Sequence, residues 1–197
     1  MNKIFDRDQG RRLEIKLAGV GGQGVVLAGT VLGRAAAIYD GLNAVMTKEY
    51  GSDMRGGDVC TDLVVSGGEI RYPAVLAPDV LVVLAQRALD VNKKWFEEEK
   101  DSASERLLIC DTDLVSVEGM ALPSSWKVLG LPFNTLADRE FHSSDAANMI
   151  FLGFFAVSTG IVSIEALHKA LQDLLPPNNL ETNIRAVDFG IERTSSL

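Results

Sequence analysis

Gly19-Val20-Gly21-Gly22-Gln23-Gly24 stands directly between a short apolar run, Leu13 to Ala18, and a long alanine-rich stretch with helical character, Val25 to Ile38. A strand that passes through a glycine turn into a helix is the opening unit of an α/β layer. Glycines permit the tight turn and close backbone approach, and the free N–H groups and positive dipole end of the helix favour a phosphate or carboxylate. Gly19, Gly21 and Gly24 occupy the three glycine places of the dinucleotide fingerprint. The same glycines would serve equally well only to turn the first helix sharply and pack it on the sheet. From the loop alone, both readings stand.

Further strand-length apolar runs follow, Asn43 to Thr47, Val80 to Leu84, Leu107 to Ile109 and Lys127 to Leu131, separated by longer stretches with helical patterning. The alternation predicts an α/β fold with a mostly parallel, covered sheet. One segment departs from it. Val59, Thr61, Leu63 and Val65 alternate with Cys60, Asp62 and Val64, and Ser66-Gly67-Gly68-Glu69 supplies a turn before Ile70-Arg71-Tyr72, which predicts an inserted β-hairpin. A parallel strand followed by a loop is the other reading. The C-terminal half is helical, with candidates at Asp145 to Thr159, Ser163 to Leu175 and Leu180 to Phe189. Ser163 caps the second of these and Asn179 the third, and Pro176-Pro177 separates them. The expected organisation is a flexible segment over 1–12, one domain over 13–190 and a frayed tail over 191–197.

Composition narrows the function. A net charge of -8 without a cluster of Lys and Arg argues against nucleic acid, since phosphate neutralisation needs such a cluster. No apolar run reaches the roughly 18 residues of a membrane span, and Met1 to Arg12 lacks an apolar signal core. The expected location is the cytoplasm. Cys60 and Cys110 lie far apart without ligand spacing, so they read as buried thiols rather than as metal or cluster ligands.

A dehydrogenase reading needs an acid at the end of the second strand for the ribose hydroxyls. Asp40 precedes that strand, and Glu49 follows Thr47 and Lys48 in what reads as a loop. Lys48 suits a phosphorylated ligand such as coenzyme A at least as well as NAD. The stretch Tyr50-Gly51-Ser52-Asp53-Met54-Arg55-Gly56-Gly57 comes next. In open α/β sheets ligands bind beyond the carboxyl ends of strands, so this loop and the glycine loop are expected to meet. Arg55 there offers a bidentate clamp and Gly56-Gly57 close backbone amides, or else Arg55 pairs with a structural aspartate. Asn148 is a lone polar residue on an apolar helix, placed either to meet a ligand or to bond backbone in the core. Asp111 and Asp113 suit a cation or, more commonly, a cap. His142 and His168 have no nucleophile motif nearby and read as capping or packing residues.

The two glycine loops together carry a family likeness. Gly19-x-Gly-Gly-Gln-Gly24, then Tyr50-Gly51 and Arg55-Gly56-Gly57, resembles the gamma subunit of 2-oxoacid:ferredoxin oxidoreductases, the pyruvate ferredoxin oxidoreductase domain III family. Pro73, the run Pro78 to Leu84, Asn148-Met149-Ile150-Phe151-Leu152-Gly153, and Asn183, Ala186 and Gly190 extend the likeness from about Leu13 to Gly190.

The resemblance implies a Rossmann-like domain within a larger complex that oxidatively decarboxylates a 2-oxoacid, forms acyl-coenzyme A and passes electrons to ferredoxin. The resemblance also implies that thiamine diphosphate with Mg and the 4Fe-4S clusters sit on partner subunits, and this chain agrees, having neither the Gly-Asp-Gly to Asn-Asn stretch nor cluster cysteines. Catalytic residues and metal ligands are accordingly not expected here. The likeness gives Gly21, Gly22, Gln23, Gly24, Arg55, Gly56, Gly57 and Asn148 a role facing coenzyme A in a site shared between subunits. One departure stands out: fused relatives often have a basic residue two places before the Asn-Met pair, where this chain has Ala146. The 2-oxoglutarate class is expected. Assembly as a homodimer of the whole complex, an indolepyruvate oxidoreductase beta-type subunit, and a free-standing NAD-binding or regulatory module are the other readings carried forward.

Overall fold

The computed structural model describes residues 11–51, 57–97 and 104–194. A six-stranded sheet in the order β2-β3-β1-β4-β5-β6 is formed by β1 (Leu13–Val20), β2 (Asn43–Tyr50), β3 (Asp58–Ser66), β4 (Val80–Val83), β5 (Arg106–Asp111) and β6 (Trp126–Leu131). β1, β4, β5 and β6 are mutually parallel, while β3 lies antiparallel between β1 and β2. The expected α/β class and mostly parallel sheet are therefore present.

The inserted hairpin exists, but with a different partner strand. β3 pairs with β2 through Asn43↔Ser66 to Tyr50↔Val59, and Ile70-Arg71-Tyr72 forms no strand. Side chains hold that segment instead of a ladder: the Arg12 guanidinium donates to the Tyr72 and Ala74 carbonyls, and Glu14 accepts from the Leu76 and Ala77 amides. β2 also runs three residues past Thr47, so Lys48 and Glu49 are strand residues rather than loop.

Helices cover both faces, as the alternate strand residues require. Ile15 and Leu17 of β1 face α1 (Val25–Arg34), α5 (Ala146–Thr159), α6 (Ile164–Leu174) and the main core, whereas Ala18, Leu81 and Val83 face α2 (Gln86–Asn92) and α3 (Lys94–Glu97). α1 continues into a short π-helical turn, Ala35–Tyr39. α4 is Phe133–Phe141 and α7 is Pro177–Thr194. Ser163 caps α6 as expected, its Oγ accepting from the Ala166 amide at 3.1 Å. Asn179 does not cap α7. The helix begins earlier, at Pro177, whose fixed φ and missing N–H suit a first helical position. At its other end α7 reaches Thr194, whose buried hydroxyl donates to the Gly190 carbonyl, so residues 191–194 are helical rather than frayed.

α5 is apolar nearly all round, which fits a helix buried between the sheet and α7. Its crossing with α7 is backbone to backbone: a Cβ on Gly153 would sit 2.1 Å from the Val187 carbonyl oxygen, and one on Gly190 2.1 Å from that of Ile150. This close crossing fixes the height at which α5 presents its N-terminal end above the strand ends.

Candidate functional site

The sheet's carboxyl edge is where the glycine loop falls, because β1 ends at Val20 and the chain turns back over it into α1. Val20 to Gln23 forms a tight turn closed by Gln23 N–H donating to the Val20 carbonyl at 3.2 Å. The Gly21 amide donates to the Gly57 carbonyl at 3.0 Å, so the two glycine-rich loops do meet. Arg55 and Gly56 lie outside the described residues. Among the described residues, the amides of Gly22 and Gly24 have no hydrogen-bond acceptor.

Gln23 points inward. Its Oε1 accepts from the Val20 amide at 2.8 Å and its Nε2 donates to the Leu84 carbonyl at 2.6 Å. The side chain thus staples the end of β1 to the residue after β4, with both polar ends occupied. Gly19 makes room for it, since a Cβ there would meet Gln23 Oε1 at 2.6 Å.

A cavity of about 300 Å³ opens beside this loop. Gly22 to Gly24 and Leu27 form one wall, Leu84 and Asp111 lie at the ends of β4 and β5, and Phe133 and Asn134 begin α4. Asn148 and Phe151 of α5 and Asn179 and Asn183 of α7 close the remainder. The floor is aromatic, with Phe133 packed edge-on against Phe151 at 5.8 Å between ring centroids. Thus Gly22, Gln23, Gly24 and Asn148, four residues expected at the site, line one cavity. Asn134 was not singled out by sequence reading and Asn179 only as a helix cap; their one signal for the cavity is an asparagine in the first turn of a helix that follows a proline.

Asn148 is the most constrained polar group there. It is only 9% exposed, its Nδ2 donates to the Gly24 carbonyl at 3.4 Å, and its Oδ1 has no partner among the described residues. Gly24 is shaped by the same contact: its φ is 72° and a Cβ would meet Asn148 Nδ2 at 2.4 Å. Gly24→Ala is therefore expected to cost about 2 kcal/mol, from the left-handed backbone and the displaced amide together. Urea unfolding measures it, and an unchanged midpoint would show that the loop relaxes freely.

Asp111 and Asp113 act as caps rather than as cation ligands. Asp111 accepts from the Asn134 side chain at 2.6 Å and from the Asn134 and Asp113 amides, and Asp113 accepts from the Thr135 amide at 3.1 Å. Burial pushes the Asp111 carboxyl above its ordinary range, and those amide donors pull against the rise. No group of three His, Cys, Asp or Glu able to hold a metal ion is present among the described residues. Burial also raises both thiols, Cys110 to about 11, which keeps them un-ionised at neutral pH. His168 Nε2 lies within hydrogen-bond distance of Asp188 Oδ1 at 2.8 Å, and His142 ends α4 with a φ of 51°.

The NAD geometry is not reproduced. In a dinucleotide site the ribose acid ends the strand beside β1, but here β3 occupies that place and β2 stands about two strand spacings, roughly 10 Å, from β1. The acid next to the glycine loop on β3, Asp58, pairs with Arg87 at 2.9 Å.

The fold thus defines an α/β domain with a cavity at the carboxyl edge of a Rossmann-like sheet. Comparison with known proteins takes the classification further. The sequence profile of the pyruvate ferredoxin/flavodoxin oxidoreductase family matches residues 14–193, and the chain belongs to that family. It is 39% identical over 184 residues to the 2-oxoglutarate synthase subunit KorC of Methanothermobacter thermautotrophicus, covering 92% of this chain and 94% of the relative. The gamma subunit of a keto/oxoacid ferredoxin oxidoreductase from Geobacter sulfurreducens superposes with a TM-score of 0.77 at 32% identity, over 94% of this chain and 98% of the other. The 2-oxoglutarate:ferredoxin oxidoreductase of Magnetococcus marinus, solved with 2-oxoglutarate, coenzyme A and succinyl-CoA, shares the fold with a TM-score of 0.82 at 23% identity; the match covers 95% of this chain but 32% of that one. No helix among the described residues is long and apolar enough to cross a membrane.

Proposed function

We propose that this chain is the gamma subunit of a cytoplasmic 2-oxoacid:ferredoxin oxidoreductase, of the 2-oxoglutarate class, and that its carboxyl-edge cavity forms one wall of the coenzyme A site. The complex converts a 2-oxoacid and coenzyme A into acyl-coenzyme A and carbon dioxide, with the electrons leaving to ferredoxin. Thiamine diphosphate, Mg and the 4Fe-4S clusters belong in this reading to partner subunits, which supply the decarboxylation and electron transfer. The chain's own part is positional. Its glycine loop turns free backbone amides toward the ligand, Asn148 presents a buried acceptor, and the aromatic floor excludes water.

The observation that carries the reading is Asn148 Oδ1, a buried oxygen with no partner among the described residues, on a residue that lines a cavity at the strand ends. The likeness to KorC over nearly the whole of both chains supports the 2-oxoglutarate class. Affinity purification of the tagged chain from its own cells tests the proposal. The expected result is co-recovery of thiamine-diphosphate and iron–sulfur subunits, with ferredoxin reduction that requires 2-oxoglutarate and coenzyme A together. Recovery of the chain alone, with micromolar NAD binding by calorimetry and no response to coenzyme A, would overturn it.

A further inference from the structure

β2 forms one edge of the sheet, and no described strand lies beyond it. Regular edges are normally kept from pairing by proline, a bulge, charge or brevity. β2 has eight residues with no proline and no glycine, and it pairs with β3 without a bulge from Asn43 to Tyr50. Its two charges, Lys48 and Glu49, both lie toward its carboxyl end. The opposite edge differs, since β6 has six residues with Gly130 among them, and its Lys127 is paired with Glu105.

The apolar surface beside β2 is also incompletely covered. A groove of about 180 Å³ runs along it, lined from the sheet by Ala44, Met46 and Leu63 and from α1 by Gly29, Thr30 and Gly33. Ala44, Val45 and Met46 are each only half-buried.

The order of residues in β2 selects the occupant. Two copies can pair antiparallel about a two-fold axis normal to the sheet, which keeps every side chain on its own face, so one residue must stand opposite its own copy. Centring on Lys48 or Glu49 opposes like charges, and centring on Thr47 brings the two Lys48 side chains onto a diagonal. Centring on Met46 avoids all three. Glu49 then faces Asn43, Lys48 faces Ala44, Thr47 faces Val45, and Met46 meets its copy at the mouths of both grooves.

We infer that β2 pairs with the β2 of a second copy of this chain, centred on Met46, so that two six-stranded sheets become one. No residue of β2 lines the carboxyl-edge cavity, and the inference stands apart from the coenzyme A reading.

Sedimentation of the full chain tests it, with a dimer of twice 21.3 kDa expected. Asn43→Glu sets a carboxylate against Glu49 of the copy at two symmetric positions and should raise the dimer dissociation constant about tenfold, whereas Asn43→Lys should lower it by a similar factor. Asn43 is exposed, and both replacements remove the same side-chain bond to the Gly68 carbonyl, so a folding effect would move both in one direction. The exchange Asn43→Glu/Glu49→Lys should restore the native value. Within one strand these positions are about 20 Å apart, so the restoration can arise only across the axis.

Met46→Cys gives the register directly, in the full chain and in the assembled complex. Opposed Cα atoms of an antiparallel pair lie about 4.5–5.5 Å apart, within disulfide reach, so mild oxidation should yield a covalent dimer. Thr47→Cys, displaced from its own copy, should not cross-link. A chain that stays monomeric at micromolar concentration, equal shifts for the two Asn43 variants, or cross-linking of Met46→Cys to a different subunit would each overturn the inference.

Discussion

Gly153→Ala is expected to lower the melting temperature by about 10 °C, corresponding to about 3 kcal/mol in a domain of this size. Helix propensity alone predicts the opposite sign, since alanine is better than glycine inside a helix by about 1 kcal/mol. The packing decides. The added methyl would stand 2.1 Å from the Val187 carbonyl oxygen, a backbone atom that moves only if all of α7 moves. Gly190→Ala meets the Ile150 carbonyl in the mirror situation and should give a similar loss. Because both changes push the same two helices apart, the double variant should cost less than the sum of the singles. Thermal unfolding followed by circular dichroism measures all three, and a rise in melting temperature for either single variant would mean that α5 and α7 are not this close.

The second large effect concerns a charge pair inside the sheet. Lys16 of β1 and Asp62 of β3 face each other across the ladder, Nζ to Oδ1 at 2.7 Å, each with only 11% of its side chain exposed. Removing the cation strands a carboxylate, so Lys16→Met is expected to destabilise by about 3–5 kcal/mol. The double variant Lys16→Met/Asp62→Leu should recover most of that loss, because an apolar pair of similar volume has no desolvation penalty to offset. Urea midpoints of the two single variants and the double form a complete cycle. Equal stability of Lys16→Met and the native chain would show that water reaches the pair.

The elements most legible in the sequence are those governed by local rules. The strand and glycine turn from Leu13 to Gly24, the capped start of α6 at Ser163 and the buried apolar helix from Asn148 onward all declare themselves through composition and periodicity. The partner of β3 was not legible. Alternation gives a strand and its buried face, but which neighbour it pairs with depends on tertiary contacts, and here Arg12 and Glu14 hold 72–77 by side-chain bonds rather than in a ladder. Residue type pointed to the residues around the cavity better than to what each of them does there. Gln23 lines the cavity, yet both its polar ends are spent on Val20 and Leu84, and Asp111 spends its carboxylate on α4. Such internal bonds join residues 61 and 23 positions apart, beyond the reach of any short motif.

The cavity draws its wall from Gly22 near one end of the chain and from Asn183 near the other. No fragment lacking either end can therefore possess the whole site, and the packing of α7 against α5 is needed to complete its wall. A ligand that fills the cavity must accordingly bind the folded chain alone. Saturation at a hundred times its dissociation constant would raise global stability by about 2.7 kcal/mol, making resistance to unfolding a readout of occupancy that needs no turnover.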